Sequence, residues 1–294
     1  MHNCIGIDIG NEFTKDSNRN IFRTLITEKE PIGFSNNQIE INGQKYWYGI
    51  GAGTLDIDRH LSEVNRVCTL TSLALADENK FNVVVGLPIG QYQKDKEELK
   101  QIVSTYNKAT VRLNNEPEKI VYINDVFVFS QGLSALYVAD ITEDCIIVDV
   151  GSRTVDVALV RWQNSTPIIA QHNTYYCGSL SLYGKIVSAI NTEYKLTISA
   201  EDVQGILNSG LFKYGEKLST DFLSDVFREH FSALLNDLQL NYPSQTKPFI
   251  LMGGGTSLLC NALQSRFKNV TVLPDSQFIN AVGYKLIGEM IFNG

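Results

Sequence analysis

The chain has 294 residues, 44% of them hydrophobic and 19% charged, and 25 Lys+Arg against 32 Asp+Glu leave a net charge of −7. That is enough apolar material for a full core in two domains, and too much for a disordered chain. The acidic balance argues against a dedicated nucleic-acid binder. The most apolar runs, Phe81–Gly86 and Cys145–Val150, have strand length, well short of the ~20 residues of a membrane helix. The N-terminus enters an apolar run without a basic region and reaches Asp8 before a signal-peptide core could form. The expectation is a soluble, cytoplasmic protein with no membrane contact. Five scattered cysteines (Cys4, Cys68, Cys145, Cys177, Cys260) form no C-x-x-C pair and read as reduced core thiols. His2, His60, His172 and His230 are too dispersed for a triad or a metal site.

In chain order, strand Cys4–Ile9 stops at Gly10, and Phe22–Thr27 reads as its partner. Gln38–Gly49 holds two alternating segments joined by Asn42-Gly43, the dipeptide a type I′ hairpin asks for. A helical stretch carries Leu61, Val64, Cys68 and Leu75; the buried strand Phe81–Gly86 ends in Leu87-Pro88; Lys94–Tyr106 reads as a charged surface helix. Val111–Leu113 and Lys119–Phe129 are expected strands, and Gln131–Ala139 is expected to begin a helix. At Asp144 the pattern restarts: Cys145–Val150 runs into Gly151, Val155–Trp162 returns, and Ile168–His172 follows. A strand, an acidic turn and a returning strand thus occur twice, a weak internal repeat. Residues 179–242 read as largely helical (Ser181–Tyr194, Ala200–Ser209, Leu218–Leu240). Strand Phe249–Met252 ends at Gly253-Gly254-Gly255, and helices Ser257–Phe267 and Phe278–Ile291 close the chain. The alternation predicts an α/β protein without a linker between its halves, and hence a cleft at their junction. The expected division is 1–143 with a small subdomain inserted around 31–80, 144–277, and a helix at 278–294 that returns to the first domain.

Three glycine turns follow apolar strands: Asp8-Ile9-Gly10-Asn11-Glu12-Phe13-Thr14-Lys15, Asp149-Val150-Gly151-Ser152-Arg153-Thr154-Val155-Asp156, and Gly253-Gly254-Gly255-Thr256. Singly, each is an ordinary source of backbone freedom. Together they have a shared logic. Glycine lets backbone N–H groups approach a phosphate, while Asn, Ser and Thr add donors. A strand-end Asp repels phosphate, so Asp8 and Asp149 are expected to hold Mg²⁺ through water. Gly10, Asn11 and Thr14 from one half and Gly151, Ser152 and Thr154 from the other would meet a triphosphate. Lys15 either returns to the β- and γ-phosphates or is an exposed strand lysine, and Arg153 either reaches a phosphate or forms a surface ion pair.

Asp8-x-Gly10 with Lys15, Asp149-x-Gly151-x-x-Thr154-x-Asp156 and the strand ending in Gly253-Gly254-Gly255 resemble the phosphate-1, phosphate-2 and adenosine motifs of the actin/Hsp70/sugar-kinase superfamily. Gly86-Leu87-Pro88, Tyr46-Trp47-Tyr48-Gly49 and Asn280-Ala281-Val282-Gly283-Tyr284 make the chain most similar to bacterial actins of the plasmid-segregation type, the ParM and AlfA relatives. The resemblance covers almost the whole chain. It implies a ribonuclease H-like, two-domain actin fold with nucleotide between the halves, and slow ATP or GTP hydrolysis with Mg²⁺. Gln131 matches the position that faces the γ-phosphate, where a glutamine orients the attacking water. Asp149 is the second catalytic candidate; Asp125 is an alternative to Gln131 if the alignment slips, although a solvated turn is the better reading of it. Gly178, Gly253, Gly254, Gly255 and Thr256 match nucleoside-binding positions, although Gly178-Ser179 could equally be a helix cap. Two departures stand out. The 179–252 segment is short for the family, so the second small subdomain looks reduced or absent, and Asn11-Glu12-Phe13 stands where many relatives carry small residues or hydroxyls.

The resemblance further implies a head-to-tail filament of identical subunits that drives plasmid or replicon segregation. Because of the acidic charge, DNA would be reached through a DNA-binding adaptor protein. A small-molecule kinase on the same fold, which needs a catalytic base, and a non-polymerising nucleotide-binding adaptor are the alternatives.

Overall fold

The computed structural model describes residues 3–33, 36–51 and 61–293, so His2 and His60 lie outside the described residues. The chain divides into two units, Met1–Ile141 with Gln277–Gly294, and Thr142–Ser276.

In the first unit, β1 (Asn3–Ile9), β2 (Phe13–Asp16), β3 (Ile21–Arg23), β4 (Ile26–Thr27), β5 (Gln38–Ile41) and β6 (Gln44–Tyr48) precede α1 (Glu63–Leu75). β7 (Lys80–Leu87), α2 (Ile89–Ser104), β8 (Lys108–Leu113), β9 (Lys119–Ser130) and α3 (Ser134–Val138) follow. These strands form one sheet in the order β3-β2-β1-β7-β9-β8-β5-β6-β4. Asn42 and Gly43 adopt φ of 50° and 85° between β5 and β6, the positive pair of a type I′ turn. The stretch expected as one strand at 22–27 is split into β3 and β4. The helix expected from Lys94 starts five residues earlier, directly after Pro88. The helix expected from Gln131 starts only at Ser134, because Gly132 sits at φ 81° and cannot take a helical conformation.

The second unit runs β10 (Cys145–Val150), β11 (Val155–Gln163), β12 (Thr166–Tyr175), α4 (Ser179–Tyr194), α5 (Ala200–Ser209), β13 (Leu211–Lys213) and β14 (Glu216–Leu218). α6 (Leu223–Asn241), β15 (Phe249–Met252), α7 (Thr256–Arg266) and β16 (Val270–Val272) complete it. The main sheet has the order β12-β11-β10-β15-β16. The β13–β14 hairpin interrupts the helical stretch expected over 179–242. Tyr214 and Gly215 at φ 50° and 86° make its turn, a signal that a tyrosine at the first turn position hides.

The weak repeat of the sequence is a duplication in topology. In the first unit β1 pairs antiparallel with β2 and parallel with β7, β2 pairs antiparallel with β3, and β7 pairs parallel with β9. In the second unit β10 bears the same relations to β11 and β15, as do β11 to β12 and β15 to β16. Each sheet buries its own apolar cluster, with Ile5, Ile7, Val83, Val85 and Leu99 in one and Val148, Val157, Leu182, Ile186 and Leu251 in the other. Cys4, Cys68 and Cys145 are buried, and burial pushes the Cys4 and Cys145 thiols up to about 12, so neither is a thiolate at neutral pH.

α8 (Ile279–Asn293) belongs to the first unit, where it packs on β1, β7 and α3. Tyr284 is fully buried there. A Cβ on Gly86 would lie 1.9 Å from its hydroxyl, so the Gly86-Leu87-Pro88 motif carries glycine to admit this ring.

Candidate functional site

In the first unit the site forms where β1 ends. Strand alternation turns Ile7 into the core and leaves Asp8 on the opposite face. Asp8 is only 4% exposed, so its charge requires partners. Two arrive from different elements. Lys15, paired with Asp8 in the β1–β2 register, donates from Nζ to Oδ2 at 3.4 Å. Gln131, in the turn after β9, donates from Nε2 to Oδ1 at 3.3 Å. The Gln131 N–H is itself bonded to the Leu87 carbonyl at 2.8 Å. The Lys15 side chain is 15% exposed and is therefore an ion-pair partner of Asp8, not a solvated strand lysine. With Nε2 directed to Asp8, the other end of the Gln131 amide is an acceptor.

The β1–β2 turn closes with the Gly10 N–H on the Phe13 carbonyl at 3.0 Å. A Cβ on Gly10 would lie 2.7 Å from that oxygen, so the turn has no room for a side chain. Asn11 is exposed at the tip. Glu12 is half-buried beside it, and burial pushes its carboxyl up despite the nearby Arg23 and Lys15 cations. Thr14 departs from expectation. It is fully buried, with its hydroxyl 3.0 Å from that of Thr24, because it alternates with Lys15 and so faces the core. Asp125 lies inside β9, five residues before its end, where its carboxylate accepts from the Val126 N–H at 2.7 Å.

The second unit repeats the turn. Gly151 N–H donates to the Thr154 carbonyl at 2.9 Å, and Asp149 stands opposite Asp156 in the β10–β11 register. Facing carboxylates on one side of a strand pair repel, and Asp156 is held by the hydroxyls of Thr154 at 2.9 Å and of Thr174. The start of α4 lies against the turn: the N–H groups of Gly178, Ser179 and Leu180 donate to the carbonyls of Arg153, Gly151 and Ser152 at 3.2, 3.2 and 2.9 Å. These amides, two of them from the Gly178-Ser179 pair expected at a ribose or a cap, brace the turn. A Cβ on Gly178 would come within 2.6 Å of the Arg153 and Ser152 backbone. Arg153 itself is exposed and makes no ion pair among the described residues.

Gly253, at φ 95°, lies under the same strand end, where a Cβ would fall 2.5 Å from Asp149 Oδ1. Gly255 N–H donates to the Val150 carbonyl at 2.9 Å. Gly254 is exposed, while the buried Thr256 hydroxyl donates to the Gly253 carbonyl at the start of α7. Asp149, Gly151, Ser152, Arg153, Thr154, Gly178, Gly253 and Gly255 are therefore assembled within one unit, with the Thr256 hydroxyl turned inward.

Sequence reasoning gave no role in the site to three contributors. Thr174 sits on β12, where nothing marks it. His230 on α6 places Nε2 3.0 Å from the Cys177 carbonyl, and burial pushes its imidazole down, so it supports the strap before Gly178 as a neutral ring. Asn280 binds the Gln131 turn.

Among the described residues no group of three or more His, Cys, Asp or Glu side chains gathers to hold a metal. The Asp149–Asp156 pair nevertheless offers hard oxygen donors at a strand end, a set suited to Mg²⁺ that keeps most of its waters. Among the described residues no helix is long and apolar enough to cross a membrane.

The N-terminal domain model of the actin-like proteins matches residues 6–133, and the C-terminal model of the archaeal, MreB-like actin homologues matches residues 147–265. The chain belongs to the actin-like proteins, and its two-domain α/β architecture is the actin fold. No curated protein sequence matches it. Among solved structures, the archaeal actin homologue Ta0583 in complex with ADP has a TM-score of 0.79 at 18% identity, over 98% of this chain and 99% of that one. The Alp12 filament structure gives 0.73 at 18%, over 98% of each chain. Bacillus thuringiensis ParM with ATP gives 0.72 at 15%, over 99% of each.

Proposed function

We propose that this actin homologue is a slow, Mg²⁺-dependent nucleoside triphosphatase that assembles into head-to-tail filaments and uses them to segregate a plasmid or similar replicon in the cytoplasm. The observation that carries the reading is the repeated turn: a strand-end aspartate, a glycine whose N–H closes the turn, and a register partner seven residues on, once in each unit. Gly10, Asn11 and Lys15 of one turn and Gly151, Ser152, Arg153 and Thr154 of the other contact the phosphates of ATP or GTP. Thr14 contributes its backbone position only, since its hydroxyl is bonded within the core. Gly178, Gly253, Gly254, Gly255 and Thr256 line the nucleoside side, Thr256 by bracing the Gly253 carbonyl with both its N–H and its hydroxyl.

Mg²⁺, when bound, neutralises phosphate charge. Asp149 is its principal holder through water, with Asp156 as neighbour, and Asp8, which also accepts from Lys15 and Gln131, is the holder in the first turn. Gln131 orients the attacking water through its amide. A neutral amide is no strong base, which fits slow turnover and a filament that records the age of its subunits.

Relatives of the same fold support the nucleotide and the polymer: Ta0583 is seen with ADP, a ParM with ATP, and Alp12 as a filament. The net charge of −7 disfavours direct contact with DNA and favours a basic DNA-binding adaptor as the link. Light scattering and pelleting of the purified protein with ATP, GTP, ADP and no nucleotide, alongside phosphate release, test this. Polymer that forms with triphosphate and decays as phosphate appears is the expected result. No polymer under any nucleotide, together with phosphorylation of a small metabolite, favours the kinase alternative and sinks this one.

A further inference from the structure

Asn280 stands in the first turn of α8 and is 7% exposed. Its Oδ1 accepts two hydrogen bonds from the turn between β9 and α3, from the Gly132 N–H at 3.0 Å and from the Ser134 hydroxyl at 2.7 Å. A backbone N–H can only donate, so the atom facing Gly132 has to be the amide oxygen. Gly132 and Ser134 are both buried. Without Asn280 each would be a stranded donor, and the turn would shift to find water. α8 also runs close here, since a Cβ on Gly283 would lie 2.6 Å from that of Ser134. The turn held in this way is the one that carries Gln131, one residue before Gly132.

We propose that Asn280 is a positioning residue for hydrolysis: by fixing the 131–134 turn it keeps the Gln131 amide on Asp8, in the place from which it orients water. This rests on the assignment of Gln131 above. Asn280 is buried with its Oδ1 turned onto the 131–134 turn, so its removal is expected to act on turnover and not on affinity. An Asp at this position keeps an acceptor for both donors, whereas an Ala does not.

The test is phosphate release and nucleotide affinity of the full chain with ATP and GTP, for Asn280→Ala, Asn280→Asp, Gln131→Ala and the Gln131→Ala/Asn280→Ala pair. Asn280→Ala is expected to slow release roughly tenfold, inside the ~100-fold that a misplaced catalytic group can cost, with affinity within about twofold of wild type. Asn280→Asp restores most of the rate. The double variant is no slower than Gln131→Ala alone, because both changes remove one function. A wild-type rate for Asn280→Ala, or a double variant slowed by the product of the two single effects, overturns the proposal. If Gln131→Ala keeps the wild-type rate, the assignment of Gln131 falls and this proposal with it; if Gln131→Ala is slow and Asn280→Ala is not, only the proposal falls. Should Asn280→Ala fail to fold, Ser134→Ala removes one of the two bonds at a packed small position. A slowing of about threefold supports the proposal there, and no slowing refutes it.

Discussion

The β1–β2 turn and the β10–β11 turn have the same backbone and exchanged charges. Both place an aspartate two residues before a glycine whose N–H bonds the carbonyl three residues on, at 3.0 and 2.9 Å. Each carries two carboxylates and one cation, but in different order: Asp8, Glu12 and Lys15 in one, Asp149, Arg153 and Asp156 in the other. In the first turn the cation lies in the strand and neutralises Asp8 from a sheltered position. In the second it sits exposed at the tip, and the strand position opposite Asp149 is a second acid. One backbone solution thus yields an aspartate paired with a lysine and a glutamine, and a facing pair of acids whose second member is held by two threonine hydroxyls. The difference teaches that the geometry of such a turn sets where a ligand comes close, and side-chain order sets which charge it meets.

The largest effect that sharpens this contrast is expected from Asp149→Ala. It should weaken Mg-nucleotide binding about 100-fold, ~3 kcal/mol, while leaving metal-free nucleotide binding nearly unchanged; titration of a fluorescent nucleotide with Mg²⁺ and with chelator reads both. Wild-type affinity with Mg²⁺ would refute the assignment of the second turn.

Next come the two glycines. A methyl on Gly10 meets the Phe13 carbonyl at 2.7 Å and one on Gly151 meets the Thr154 carbonyl at 3.1 Å. Gly10→Ala should therefore destabilise by about 2 kcal/mol and Gly151→Ala by about 1 kcal/mol, as measured from urea midpoints. Equal losses would erase the packing difference between the turns.

The smallest effect is a pH dependence. Burial raises the Glu12 carboxyl in the native state. Below the unfolded-state value both states hold the proton and Glu12 is neutral in either. As pH rises past it, the native state resists ionisation and loses stability relative to the unfolded chain. Glu12→Gln should therefore stabilise at neutral pH by under about 1 kcal/mol for this half-buried group, and the gain should vanish near about pH 3.5. Arg153→Gln, at the equivalent position, should show no such pH-dependent difference, because it removes no carboxyl. A constant gain for Glu12→Gln across the range would show that burial does not govern the group.

Much of the fold was legible in local patterns. Strands Phe249–Met252 and Cys145–Val150, helix Ala200–Ser209 and the Asn42-Gly43 hairpin fall where periodicity and turn chemistry put them. Helix starts were less legible. Pro88 begins α2 before its charged stretch, and Gly132 delays α3, since each boundary depends on one backbone angle and not on a pattern. The hairpin at Leu211–Leu218 escaped notice because its strands are three residues each and a tyrosine, Tyr214, takes the first turn position before Gly215.

What the sequence by itself determined is the set of short-range features: apolar strands that end in an aspartate and a glycine, their repetition, and hence the actin-like class. These follow from side-chain period and the sterics of single residues, which neighbours along the chain decide. Only tertiary structure decided which groups meet. Asp8 bonds Gln131 from a strand more than a hundred residues away, Gly178 is glycine because the Arg153 backbone lies against it, and Thr14 is lost to the core while Lys15 beside it reaches the site. Asn280 too gained its role only when α8 folded back onto the Gln131 turn. The physical reason is the same in each case: a buried polar group must find a partner, and which partner it finds depends on the packing of elements far apart in the chain.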